Sequence, residues 1–165
     1  MPKKKDVVIK YFTEDQVVLL INRLAEKYGV YNYNYGATYI AIHTGMRKSE
    51  VLNIKFTWID WTKREISIPA EMTKASKRRL VPIADGLYCH LQDLHQRASI
   101  KDGYVLSPDG GTTRYKNIKN AYYTALREIG CPDFDFHTCR HTFATHYLAK
   151  NPSCLFDLMQ ICGWE

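Results

Sequence analysis

Residues 136–147 read FHTCRHTFATHY, and two chemistries compete for them. His137 and His141 stand four apart, with Arg140 between them and Cys139 alongside. On a helix these two histidines share a face, a spacing that zinc sites use, and Cys131 or Cys139 would be the nearest sulfur. His137 and Arg140, three apart, are equally neighbours near a helix start, where free backbone N–H groups favour an anion. The first reading makes a metal centre and the second makes one wall of a phosphate pocket. A metal needs further ligands at motif spacing, yet the sequence has no H-E-x-x-H and no close cysteine pair, and Arg140 would set a positive charge beside the cation. A metal is therefore not expected. On the phosphate reading, Cys139, Phe143 and Tyr147 form the inward stripe of the helix.

A phosphate pocket needs a second wall, and residues 43–54, HTGMRKSEVLNI, offer one. Thr44-Gly45 breaks a helix expected over Tyr35–His43, and a short third helix starts near Arg47, carrying Val51 and Leu52 inward. Arg47 thus stands at a helix start, with Glu50 three residues on, placed to hold its guanidinium in an ion pair. Two arginines so held can grip both non-bridging oxygens of one phosphate.

Outward from these stretches, Thr13 caps a first helix whose apolar pattern runs through Val17, Leu20, Ile21 and Leu24 and stops at Gly29. Short β-type stretches follow the third helix: TWIDW (57–61), REISIP (64–69) and RRLVPI (78–83), read as a small antiparallel sheet. KASKRR (74–79) would then be a hairpin tip carrying Lys74, Lys77, Arg78 and Arg79 together. Helical patterns resume over 85–98, 114–129, 137–149 and 153–162, with breaks at Pro108-Asp109-Gly110-Gly111 and Cys131-Pro132. The fold class expected is mainly α with a small antiparallel β-sheet.

Composition narrows the class. A chain of 165 residues suits one domain with its own core. No apolar run approaches the roughly 18 residues of a membrane span, and MPKKKDVV is not followed by an apolar run of signal-peptide length, so a cytoplasmic protein is expected. Five cysteines, an odd set without a C-x-x-C pair, are read as buried reduced thiols. The net charge is +6, and residues 47–79 hold nine Lys or Arg against four acids. That concentration suits a polyanionic partner.

Four motifs in order, HTGMRKSEVLNI, TKASKRRLVPI, HTCRHTFATHY and LMQICGWE, strongly resemble the catalytic domain of the tyrosine recombinase (phage integrase) family. The likeness runs from about Thr13 to Glu165. It implies that Arg47 and Arg140 clamp the scissile phosphate, that Lys74 is the hairpin lysine protonating the departing 5′ oxygen, and that His137 assists proton transfer at the nucleophile. Trp164 stands where the family has His or Trp and offers an indole N–H. Glu50 matches the acidic position after the first arginine, with an orienting role. His141, Thr142 and His146 are expected to make structural hydrogen bonds within their helix, and a phosphate contact is a second role for His141. Lys48, Lys77, Arg78, Arg114, Lys116 and Lys119 are DNA-backbone candidates by charge and placement.

The resemblance implies double-stranded DNA as partner, no cofactor, tetramer assembly of the full-length parent, and strand cleavage and rejoining through a 3′-phosphotyrosyl intermediate. The family's nucleophilic tyrosine follows the G-W position, and none of the twelve tyrosines lies in that segment. The expected organisation is a basic linker over 1–12 and a catalytic domain over 13–165 without its C-terminal tail: mainly monomeric, binding DNA weakly and forming no covalent adduct. The rival readings are a non-catalytic DNA-binding module or decayed remnant of a recombinase, and, more remotely, a structural zinc protein. A type IB topoisomerase would share the chemistry, but the motifs match the integrases.

Overall fold

The computed structural model describes residues 8–164, so residues 1–7 of the expected linker and Glu165 of the last motif lie outside the described residues. The first helix, α1 (Glu14–Tyr28), starts where expected. The Thr13 hydroxyl accepts from the Gln16 N–H at 3.2 Å while the Gln16 side chain accepts from the Thr13 N–H at 2.9 Å, a reciprocal cap. Leu20 and Leu24 form its buried stripe. Before it, Phe12 is wholly buried, and its N–H donates to the Thr142 hydroxyl at 2.9 Å. The segment just ahead of α1 is thereby pinned to the far end of the chain.

The central element is α2 (Tyr33–Thr44). It starts two residues before the expected Tyr35 because the Asn32 side chain caps it, accepting from the Asn34 N–H at 2.9 Å. Apolar residues surround it, as suits a helix with neighbours on every side, and it packs on α1, on α3 (Lys48–Asn53), on α4 (Asp85–Arg97), on α5 (Asn120–Glu128) and on α6 (His137–Lys150). Its buried Thr38 and Thr44 hydroxyls donate to the carbonyls of Asn34 and Ile40 at 2.7 and 2.6 Å, so neither is left unpaired. Gly45 ends α2 at φ +64, and a Cβ there would lie 2.4 Å from the Phe143 ring. Only glycine meets both demands, and the turn it makes delivers Arg47 to the start of α3.

Three short antiparallel strands, β1 (Ile59–Asp60), β2 (Glu65–Ile68) and β3 (Arg79–Pro82), form a sheet in the order β1-β2-β3. Alternation places Ile66, Ile68 and Val81 inward, all fully buried. The β2–β3 connection is not a bare tip. A 3-10 turn at Ala70–Met72 comes first, and the Thr73 hydroxyl then closes the loop, accepting from the Lys77 N–H and donating to the Lys77 carbonyl. Arg79 corrects the sequence reading. As the first residue of β3 it shares the inward face of Val81, so it is buried rather than displayed with Lys74, Lys77 and Arg78.

Three other expectations are corrected. The helical pattern from 114 does not hold until α5. Tyr115 stacks on Tyr33 with ring centroids 3.6 Å apart, and the Lys119 N–H donates to the Asn34 side chain at 3.2 Å, which draws residues 114–119 across the end of α2 as a loop. On α6 the inward face is Thr138, Cys139, Arg140, Thr142 and Ala144, while Phe143 and Tyr147 are half-buried against α7 (Leu155–Cys162). Thr142 can turn inward because its hydroxyl donates to the Thr138 carbonyl at 2.7 Å as well as accepting from Phe12. α7 packs on β3 and α6. Cys131, Cys139 and Cys162 are buried, whereas Cys89 is exposed on α4, against the expectation of buried thiols. Among the described residues no helix is long and apolar enough to cross a membrane.

Candidate active site

Arg47 and Glu50 are brought together by the first turn of α3. The Glu50 carboxylate accepts from the Arg47 N–H at 2.7 Å and from its guanidinium at 3.2 Å. Glu50 is completely buried and has a second cationic partner. Arg79 grips both its oxygens, at 2.5 and 2.7 Å, from the inward face of β3. Burial alone would raise the Glu50 carboxyl, but the hydrogen bonds and charge of Arg79, with those of Arg47, outweigh it and hold the group below its ordinary value. Glu50 is therefore ionised at neutral pH.

Arg140 comes from the first turn of α6 and is almost wholly buried. Its two terminal nitrogens donate to the Gly45 carbonyl at 2.7 Å and the Cys162 carbonyl at 2.6 Å. Burial, together with the charges of Arg47 and Arg79, lowers its pKa, a sign that cations crowd the site. Arg47 in turn donates to the Gly163 carbonyl at 3.2 Å. A guanidinium carries five N–H bonds, so Arg47 and Arg140 are each aimed by these contacts while retaining donors for an anion.

A cleft of about 340 Å³ opens beside them, lined by Arg47, Lys74, Ala75, Gly163 and Trp164. Lys74 is exposed on the loop after β2, and the Trp164 ring lies 5.3 Å from the Arg140 guanidinium. The structure thus gathers Arg47, Glu50, Lys74, Arg140 and Trp164. His137 stands at the exposed start of α6 and opens onto a separate hollow with Lys10, Asp133 and His141. Partial burial, then the neighbouring His141 and Arg140, lower its pKa, which keeps the imidazole neutral and able to accept a proton at neutral pH. Its ring meets that of His141 edge-on at 4.6 Å, and among the described residues no group of three or more His, Cys, Asp or Glu is placed to hold a metal ion.

Of the three residues expected to hydrogen-bond within α6, Thr142 does so, whereas His141 packs on His137 and His146 meets the Tyr11 ring edge-on at 6.3 Å. The remaining basic candidates lie on two loops and on α3. Lys77 and Arg78 are exposed before β3, and Arg78 donates to the Ser67 hydroxyl at 2.6 Å. Lys116 and Lys119 are exposed in the 114–119 loop and Arg114 is half-buried there. Lys48, at the start of α3, donates to the Asn117 side chain at 3.3 Å and so joins that loop to the cleft side. Sequence reasoning missed Arg79 as part of the site. The signal was present in RRLVPI, because Arg79 and Val81 stand two apart and a strand puts both on one face.

The sequence model described as the phage integrase family matches residues 10–165 of the chain. An integrase of Salmonella phage P22 is 27% identical over 135 residues, covering 76% of this chain and 34% of the relative. Tyrosine recombinase XerC of Staphylococcus aureus (strain JH9) is 27% identical over 155 residues, covering 89% of this chain and 50% of the relative. The chain therefore spans half or less of the length of these relatives. Among solved structures, the integrase of transposon Tn1549 in complex with transposon right end DNA superposes with a TM-score of 0.77 at 17% identity, covering 98% of this chain and 60% of the other.

Proposed function

The chain belongs to the phage integrase family, and on that premise we propose that its cleft grips one phosphodiester of duplex DNA for site-specific strand cleavage and rejoining through a 3′-phosphotyrosyl intermediate. The observation that carries this is the charge arithmetic of the pocket. Two guanidiniums, Arg47 and Arg79, bind one buried carboxylate, Glu50, and a third, Arg140, lies within reach of their charges, which leaves two fixed positive charges beside an open cleft. In-line attack on a phosphodiester raises the negative charge on its non-bridging oxygens, and donors already aimed there need no reorganisation as that charge develops. Arg47 and Arg140 supply those donors. Lys74, with three N–H bonds on a flexible stem, delivers a proton to the departing 5′ oxygen. His137 opens onto the hollow next to the cleft, three residues before Arg140 on α6, and from there, neutral, it is proposed to take up the proton of the attacking phenol. The Trp164 indole N–H contributes a fixed dipole.

Among the residues lining the cleft there is no tyrosine. The attacking phenol is proposed to come from sequence following Trp164, the place the family resemblance assigns it. Transposon right end DNA is the partner in the Tn1549 complex, and for this chain the exposed Lys77, Arg78, Lys116 and Lys119 are proposed to supply the contacts to the DNA backbone. The first test needs only the 165-residue chain. Tungstate, a tetrahedral dianion, should raise the melting temperature of the wild type at constant ionic strength and leave Arg47→Ala and Arg140→Ala unmoved. Duplex DNA should bind with an affinity that falls steeply with salt. Equal tungstate stabilisation of wild type and both variants would show that the pocket is not the phosphate site.

A further inference from the structure

The last carbonyls of a helix have no intrahelical partners, and the helix dipole makes that end negative. At the end of α7 three consecutive carbonyls are each taken by a different arginine. Ile161 accepts from Arg79 Nε at 2.8 Å, Cys162 from Arg140 at 2.6 Å, and Gly163 from Arg47 at 3.2 Å. Gly163 is in the left-handed region at φ +64, and a Cβ there would meet the Arg79 side chain at 3.2 Å. Backbone and guanidinium are therefore in close contact just where the chain turns to present Trp164.

Of the three only Arg47 lines the cleft, and Arg79 is the one to which the proposed phosphate grip assigns no donor. Its side chain is 7% exposed, and its planar fork spans Glu50 on one edge and the Ile161 carbonyl on another. Through Glu50 it reaches Arg47, and through Ile161 it reaches the turn that carries Trp164. We infer that Arg79 is a positioning residue: it fixes the end of α7 against the Arg47–Glu50 pair, so that the phosphate donor Arg47 and the cleft wall Trp164 are set as one unit. The inference rests on the phosphodiester reading above. Lysine cannot replace Arg79 in this role, because one ammonium nitrogen cannot serve both oxygens of Glu50 and a carbonyl on a third line. Charge alone is thus insufficient, and geometry is the property under test.

The test is fluorine NMR of the whole chain labelled with 5-fluorotryptophan, which reports Trp58, Trp61 and Trp164 separately, with Trp164→Phe to assign the third resonance. Before any ligand is added, Arg79→Lys should broaden or split the Trp164 resonance and leave those of Trp58 and Trp61 in place. Tungstate affinity should fall roughly tenfold, the loss expected when a bidentate, charge-assisted contact no longer aims Arg47. Arg79→Met/Glu50→Gln removes both partners of the buried pair together, so neither is left buried without the other should the single variant fail to fold. It too should release Trp164. A Trp164 resonance as sharp and as placed as in the wild type, in either folded variant, overturns the inference and reduces Arg79 to a stabilising residue. Failure of the functional reading would look different: wild type and Arg47→Ala would respond alike to tungstate whatever Arg79→Lys did to Trp164.

Discussion

Glu50→Gln isolates the charge at the centre of the site. The side chain keeps its shape, but a carboxylate that accepts four hydrogen bonds, two from Arg79 and two from Arg47, becomes an amide with one accepting oxygen. Whichever way the amide is turned, its NH2 faces N–H donors, and the buried Arg79 loses its counter-charge. Removing one partner of a buried ion pair costs about 3–5 kcal/mol. In a domain of this size each kcal/mol moves the melting temperature by about 2–4 °C. The expected fall is therefore roughly 6–20 °C, read by circular dichroism melts at neutral pH. Acid gives an independent check. The folded-state pKa of Glu50 lies below its ordinary 4.5, so its contribution is complete above that value and is lost as pH falls through the folded pKa. The gap between wild type and variant should close in that acid range. A neutral-pH difference within about 2 °C, the size of an ordinary surface substitution, would refute the reasoning, as would a gap unchanged by acid.

Thr142→Val removes the acceptor of the buried Phe12 N–H and should cost about 1–3 kcal/mol in urea unfolding, with Thr142→Ser recovering most of it. Gly45→Ala meets both a left-handed backbone and the Phe143 ring, so a loss of at least about 1–2 kcal/mol is expected, together with weaker tungstate binding because the Gly45 carbonyl also aims Arg140. His90 is held neutral by burial against Tyr35 and Tyr39, with Asp93 opposing weakly, so its pKa is lowered. The unfolded chain then binds the extra proton, and stability should fall as pH drops below the ordinary histidine value of 6.5. His90→Phe should flatten the stability profile between neutral and mildly acidic pH, and an unchanged slope would count against it.

Much of the fold could be read because its signals are local. Thr13 and Gly29 bracket α1, Gly45 ends α2, and the alternation in REISIP and RRLVPI marks strands. The misreadings share a cause. Residues 114–119 carry an inward-facing pattern at Tyr115 and Ile118 that a helix would also produce, and only the Tyr33 stack, distant in sequence, decides for a loop. Arg79 ends a basic run and so reads as part of an exposed tip, although its partner Glu50 lies 29 residues away and only the fold joins them. In the site, Arg47, Glu50 and Arg140 are legible as residues of helix starts. What aims the arginines is not, because the acceptors are main-chain carbonyls, which every residue type presents alike.

The hold of three arginines on the end of α7 also orders events during synthesis, since chains fold from the amino terminus as they are made. Arg79 waits 82 residues, and Arg47 waits 116, for the carbonyl each will hold. Glu50 and Arg79 stand 29 residues apart, so their ion pair can form as soon as β3 is made. The surplus positive charge is assembled only when α6 and α7 have docked. A chain made only as far as β3 therefore lacks the carbonyls that aim Arg47 and Arg140, and the pocket takes its shape only once α7 has been added.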